Sequence, residues 1–178
     1  LYGLVVALGC LIIGKKPQKF HHFVRFEIGV GWGGFEAGPF FFTSSRPSLF
    51  TKQHEAGHGI QNIMFGPLML FVVSIPSALR YWFRKQNTLK KKYIFCSVFL
   101  AILTLIGLAF LIPGCIVPAI WAIVIGAIII SYVICLACWL FIKELPQYKN
   151  GNYVDYYEIW FENLASSLGE KYFPSEEV

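Results

Sequence analysis

Charge is what this chain lacks most. Only 14% of its 178 residues are charged, against 56% hydrophobic, and the mean hydropathy is +0.59. A soluble domain of this size normally carries about a quarter charged residues. The deficit excludes an ordinary water-facing surface and points to lipid as the solvent for much of the chain. Acidic residues are scarcer than basic ones, ten against fifteen, for a net charge of +5. The basic residues lie beside apolar runs, so the excess reads as juxtamembrane charge and excludes nucleic acid as the partner. Cysteine is thin as a signal. The five present, Cys10, Cys96, Cys115, Cys135 and Cys138, are odd in number and lie in apolar stretches. Cys135 and Cys138 have no second pair to make a zinc ribbon and no βαβ context to make a redox centre.

Charged residues are missing altogether from residues 94–112 and 116–142, runs of 19 and 27 residues. Each is long enough to cross a bilayer, and Pro113-Gly114 between them predicts a tight turn and a transmembrane helical hairpin. The same lack denies these spans the charged path that a transporter needs. A third apolar stretch, residues 63–79, is interrupted by Gly66-Pro67 and Pro76 and predicts a broken, re-entrant or interfacial segment. Residues 1–14 read as an N-terminal membrane span or its remnant. Five segments result: residues 1–14; 15–62, with a β hairpin and a motif helix; the broken segment and basic loop 63–93; the hairpin 94–142; and an acidic helix and tail, 143–178.

Within residues 23–43, Phe23, Arg25 and Glu27 alternate with Val24, Phe26 and Ile28 at the strand period. Phe40-Phe41-Phe42-Thr43 reads as the returning strand of a short antiparallel β hairpin. The intervening Gly29-Val30-Gly31-Trp32-Gly33-Gly34 fits G-x-G-x-x-G. It lacks both the following helix and the acidic ribose partner of a dinucleotide site, and its glycines read as turn or bulge residues.

Among so few polar residues, His54-Glu55-Ala56-Gly57-His58 stands out. It fits H-E-x-x-H, in which two histidines at i and i+4 on one helix face bind zinc and the glutamate acts as general base. A catalytic zinc needs a third protein ligand and one open position. The tail supplies candidates: over residues 153–169, Asp155, Glu158 and Glu162 fall at i, i+3 and i+7, one face of a predicted helix that Gly169 terminates. Glu162 is the first choice for the metal, with Glu158 in reserve and an acidic neighbour orienting a histidine. His21 and His22 are further alternatives, although their place beside Lys15, Lys16 and Lys19 reads as interfacial. Gln61, three residues after His58, could orient a ligand or substrate. Tyr153, Tyr156, Tyr157 and Arg46 are candidate oxyanion donors that the sequence does not rank.

These motifs resemble the Glu-zincin metallopeptidases, whose membrane members include the CaaX-processing and heat-shock membrane proteases. In that plan, H-E-x-x-H is followed by hydrophobic helices and then a ligand glutamate. The chain more closely resembles a group of small bacterial membrane proteins. The shared pattern comprises Gly38-Pro39-Phe40, His54-Glu55-Ala56-Gly57-His58-Gly59-Ile60-Gln61, Gly66-Pro67-Leu68, Pro76-Ser77 and the run from Trp160 through Glu162 and Ala165 to Leu168-Gly169. The resemblance implies a mainly α integral membrane protein with a zincin-like pair of metal-binding helices. It implies Zn²⁺ on His54, His58 and Glu162, with Glu55 as base in the hydrolysis of a peptide or membrane-protein substrate. One position departs: where many Glu-zincins carry aspartate four residues after the ligand glutamate, this chain has Ser166. No N-P-D-G-like motif of the site-2 membrane proteases occurs.

Arg80, Arg84, Lys85, Lys90, Lys91 and Lys92 crowd the loop before the first span, and the positive-inside rule puts that loop on the cytoplasmic side. If residues 63–79 do not cross, motif helix and tail share that face of a bacterial plasma membrane. The rival expectation is a non-catalytic scaffold or assembly subunit with a structural metal or none. Both readings allow an oligomer or larger membrane assembly.

Overall fold

The computed structural model describes residues 2–175. It is mostly helical, 70%, with one small mixed sheet, and it divides into two compact units, Leu1–Ile75 with Tyr156–Val178, and Pro76–Asp155.

The first unit is built on four strands, β1 (Gln18–Phe20), β2 (Phe23–Glu27), β3 (Gly34–Ala37) and β4 (Phe40–Thr43), in the order β1-β2-β4-β3. The expected pairing of residues 23–28 with 40–43 forms, but it is parallel, with Arg25 opposite Phe41. The glycine-rich stretch is not only a turn. Its last residue opens β3, which pairs antiparallel with β4 through the tight turn at Gly38-Pro39; the chain therefore reverses within residues 28–34, and β4 returns parallel to β2. Strand alternation then gives the sheet two apolar faces. Phe26, Phe42 and Ala37 pack under Ala7 and Cys10 of helix α1 (Tyr2–Ile12). Phe20, Phe23 and Phe41 pack under Ala56 of helix α2 (Leu49–Phe65). Register places Gly34 and Glu36 of the edge strand β3 on the α2 side, opposite Thr43 and Phe41.

Helix α2 starts where the Ser48 hydroxyl accepts a hydrogen bond from the Thr51 amide, and it stops at Gly66, whose φ of 54° disfavours a side chain. Every residue from Gln53 to Gly59 is buried, because the sheet covers one side of α2 and helix α7 (Trp160–Tyr172) the other. The tail helix is shorter than expected. Ile159 is extended, with ψ 142°, and Tyr156–Glu158 form a separate 3-10 turn, so Asp155 and Glu158 lie outside the helix that carries Glu162. Gly169 does not end α7 but lies inside it.

The second unit contains helix α3 (Ile75–Lys85), α4 (Leu89–Ile116), α5 (Ile120–Cys138) and α6 (Leu145–Lys149). The continuous paths Leu89–Ile116 and Ile120–Lys149 are long and apolar enough to cross a membrane, and only 17% and 22% of their most apolar windows are buried. The hairpin turn falls one step later than Pro113-Gly114 suggests. Pro118 forces Val117 into extended geometry, φ −107° and ψ 100°, and ends α4 there. Gly114 instead faces α5, where an added Cβ would sit 3.0 Å from the Ile123 amide nitrogen. The 63–79 stretch is broken as expected: a 3-10 turn at Gly66–Leu68 is followed by a sharp bend. Pro76 does not interrupt the path. A π-helical turn, Leu70–Ser74, precedes it, and a second, Trp139–Glu144, precedes Pro146. Both widen the backbone just where a proline lacks its donor.

Two members of the basic cluster are not at a surface. Arg80 donates to both Glu144 carboxylate oxygens, at 2.7 and 2.6 Å, and to the Val154 carbonyl, and it covers the Tyr153 ring. Lys92 donates to the Phe83 carbonyl at 2.7 Å between the rings of Phe83 and Tyr148. Their burial is tolerable because each charge has close partners.

Candidate metal centre

Helix α2 carries two polar stripes. His54, His58 and Gln61 follow the i, i+4, i+7 rule and face α7. Glu55 and Asn62, at i and i+7, face β3. The helices α2 and α7 approach closely because the contact residues are small. A Cβ on Gly57 would lie 1.9 Å from the Ala165 carbonyl oxygen, and one on Gly169 would lie 2.0 Å from that of Gln53. This approach brings Glu162, in the first turn of α7, to the paired imidazoles.

Three atoms converge. Glu162 Oε2 lies 3.1 Å from His54 Nε2 and 3.3 Å from His58 Nε2, and the two Nε2 atoms are 3.2 Å apart. A tetrahedral ion with ligand bonds near 2.0–2.1 Å has ligand–ligand edges of about 3.3–3.4 Å. The observed triangle is therefore close to one face of such a tetrahedron, and among the described residues it is the group of three that could hold a metal ion.

The outer nitrogens settle the tautomers. Gln61 donates through Nε2 to the Phe161 carbonyl at 2.6 Å, so its Oε1 must accept from His58 Nδ1, at 2.8 Å. Ser166 donates to the Glu162 carbonyl at 3.1 Å, so its Oγ accepts from His54 Nδ1, at 2.9 Å. With both Nδ1 atoms protonated, both Nε2 lone pairs point at the centre. Lone pairs 3.2 Å apart beside a carboxylate oxygen call for a cation between them. In the metal-free protein a proton on His58 Nε2 takes that place. Burial alone would lower the His58 pKa, but the Glu162 and Glu55 carboxylates and Gln61 overcome it and raise it to about 9. Burial, opposed by Glu162, lowers that of His54.

Glu55 is buried beside this group, and its Oε2 has no hydrogen-bond partner among the described residues. The Gly34 backbone lies over the carboxyl, with room for no side chain, since a Cβ there would be 2.6 Å from Oε1. Burial raises the Glu55 pKa to about 8, with His58 opposing and Glu162 and Glu36 adding to the rise.

No protein-family model matches this chain, and no curated protein or solved structure matches it either.

The other expected site residues divide sharply. Gln61 and Tyr157 join the site; the Tyr157 ring is 5.1 Å from that of His54 and 5.3 Å from that of Phe50. Tyr156 packs edge-on against Tyr157. Tyr153 and Asp155 belong to the other unit, where Arg80 covers the Tyr153 ring and Arg84 pairs with Asp155 at 3.2 Å. Glu158 is exposed in its 3-10 turn, and Arg46 is exposed in the loop before α2 with φ 56°. His21 contacts the Ser175 carbonyl and the Phe173 ring, and His22 is exposed, so neither is in the ligand group. Two participants are hidden in the sequence. Ser166 shows there only as a missing aspartate, and Glu36 lies between the glycine-rich run and Gly38-Pro39-Phe40 without belonging to either.

Glu36 accepts from Asn62 Nδ2, at 3.0 and 3.3 Å, and from the Gly38 amide, which fastens β3 to α2. Burial raises its pKa from 4.5 to about 7, although both hydrogen bonds and His58 oppose the shift. A carboxyl that holds its proton more tightly when folded stabilises the fold fully below its unfolded pKa and loses that contribution as pH rises through the folded value. The apparent melting temperature of the metal-free protein should therefore fall between pH 4.5 and about 7. Glu36→Gln keeps the acceptor and should flatten that part of the profile by on the order of a few degrees. Parallel profiles for both proteins would remove Glu36 as the titrating group.

Proposed function

We propose that this protein is an integral membrane, zinc-dependent endopeptidase that hydrolyses peptide bonds near the membrane surface. The carrying observation is the triangle formed by His54 Nε2, His58 Nε2 and Glu162 Oε2 beside the buried Glu55 carboxyl. Three converging protein ligands suit a catalytic site that keeps a fourth position open better than a closed structural one. Bound there, zinc would polarise the scissile carbonyl and acidify water.

The remaining steps belong to the chain. Glu55 takes the proton of the attacking water and delivers it to the leaving amine. A divalent cation at the three ligands favours its ionised form and offsets the rise that burial causes. Gln61 and Ser166 hold the imidazoles in place. Tyr157, against His54 and partly exposed, is the best supported of the candidate oxyanion donors. The nearly bare apolar surfaces of α4 and α5 favour lipid as their solvent. Exposed Lys90 and Lys91 at the start of α4 favour a cytoplasmic site in a bacterial plasma membrane. The substrate is then a peptide or a membrane protein reached at that surface.

Metal analysis of the full chain in detergent tests this directly. The expected result is one zinc per chain, with hydrolysis of an unstructured protein lost on chelation and restored by zinc. Glu162→Ala should weaken zinc binding by more than about 10²-fold, beyond what outer contacts contribute. Unchanged stoichiometry and affinity in that variant would remove Glu162 from the site. Zinc binding without hydrolysis would favour the scaffold reading.

A further inference from the structure

We propose that Ser166 and Gln61 are positioning residues that set the metal affinity of the site by tying both imidazoles, without added charge, to the main chain of the turn that carries the third ligand. The inference rests on metal binding at the triad but not on peptidase activity.

Both relays end on one turn of backbone. From His58 the hydrogen bonds run through Gln61 to the Phe161 carbonyl, and from His54 through Ser166 to the Glu162 carbonyl. These carbonyls are consecutive, and the second belongs to the ligand residue itself. The first turn of α7 therefore supplies the carboxylate and also the two fixed points that orient both histidines. Gln61 is fully buried, and its amide has no freedom to invert, because Phe161 offers only an acceptor. The Ser166 hydroxyl is similarly directed by the Glu162 carbonyl.

Charge gives the arrangement its consequence. An aspartate at position 166 would place an anion on His54 Nδ1–H and make the imidazole a stronger donor. Serine and glutamine orient the rings and add no charge. A divalent ion with Glu162 then leaves one positive charge, which an ionised Glu55 balances. Two further anions in the outer contacts would strengthen metal binding and hold a proton on Glu55.

The experiment measures zinc affinity of the full chain in detergent by competition with a chromophoric chelator. It compares Ser166→Ala, Ser166→Thr and Ser166→Asp with the parent. The alanine variant should bind about 10–100-fold more weakly. Threonine keeps the hydroxyl and should restore affinity to within about threefold of the parent, and aspartate should bind at least as tightly as serine. Imidazole ¹⁵N shifts of the zinc-loaded parent should show Nδ1–H tautomers for both motif histidines. Position 166 is partly exposed, so the metal-free melting temperature should change little across the series. Parent-like affinity in Ser166→Ala, or an equal loss in alanine and threonine variants, overturns the proposal. A parent chain that binds no zinc overturns the metal reading beneath it, which separates the two failures.

Discussion

Glu55→Gln should lower peptide hydrolysis by about 10²–10⁴-fold while leaving zinc bound, the range over which a positioned acid–base group acts. The substitution is close to isosteric, and that matters at this position. The carboxyl is fully enclosed, with the Gly34 backbone so near that even a methyl group on that strand would collide with it. A shorter residue would open a cavity beside the ligand helix and confuse loss of chemistry with loss of structure. Glutamine fills the same space and removes only the capacity to take a proton. None of the three ligand contacts involves Glu55, so zinc stoichiometry should not change. Its apparent pKa, raised by burial to about 8 in the metal-free protein, should fall when zinc binds, because the added positive charge favours the carboxylate. Zinc binding should therefore release protons, fewer in the variant than in the parent, and calorimetry in buffers of different ionisation enthalpy reads that difference. Hydrolysis at the parent rate with zinc in place would exclude Glu55 as the base and leave the zinc site without its proposed chemistry.

The features legible in the sequence are those written in a helical period. His54 and His58 share a face because four residues make about one turn, and Glu162 stands out as the acid best placed to meet them. What the sequence hides depends on backbone geometry that no side-chain pattern announces. The acidic stripe Asp155–Glu158–Glu162 assumes one continuous helix, but extended Ile159 breaks it. Only the last of the three acids then belongs to α7. Strand β3 reads as loop because Gly34 has no side chain to contribute to an alternating pattern, yet that lack lets the strand lie on Glu55. With β3 unseen, the direction of β4 is inferred the wrong way round. Pro113-Gly114 looks like a turn, but each residue has a different role: the helix runs through Pro113, and Gly114 is a contact point for α5. Ser166 illustrates the limit most clearly. A local motif comparison marks it as the loss of a carboxylate, whereas its hydrogen bonds show an acceptor for His54 directed by the Glu162 carbonyl.

Gly57→Ala and Gly169→Ala should each destabilise the first unit by about 1–3 kcal/mol or more, the cost of overpacking a filled contact. Each should also weaken zinc binding beyond the 10–100-fold effect of outer contacts. Helix propensity argues the other way, since alanine stabilises a helix by about 1 kcal/mol relative to glycine. The opposition makes the test decisive. At position 57 the new Cβ would lie 1.9 Å from the Ala165 carbonyl oxygen and 2.7 Å from its carbon. At position 169 it would meet the Gln53 carbonyl oxygen at 2.0 Å. The obstructing atoms are backbone and cannot rotate aside, so the helices must separate by on the order of 1 Å. Metal sites hold their bond lengths to about 0.2 Å. A separation of that size would carry Glu162 away from His54 and His58 and stretch both histidine relays, because all of these contacts cross the same helix pair. Gly9→Ala provides the control: Gly9 lies inside α1 and has open space around its Cβ position, so alanine there should stabilise the protein by about 0.4–1 kcal/mol. If the substitutions at 57 and 169 behave like the one at 9, the close approach of α2 and α7 does not exist in solution, and the carboxylate loses its route to the paired imidazoles.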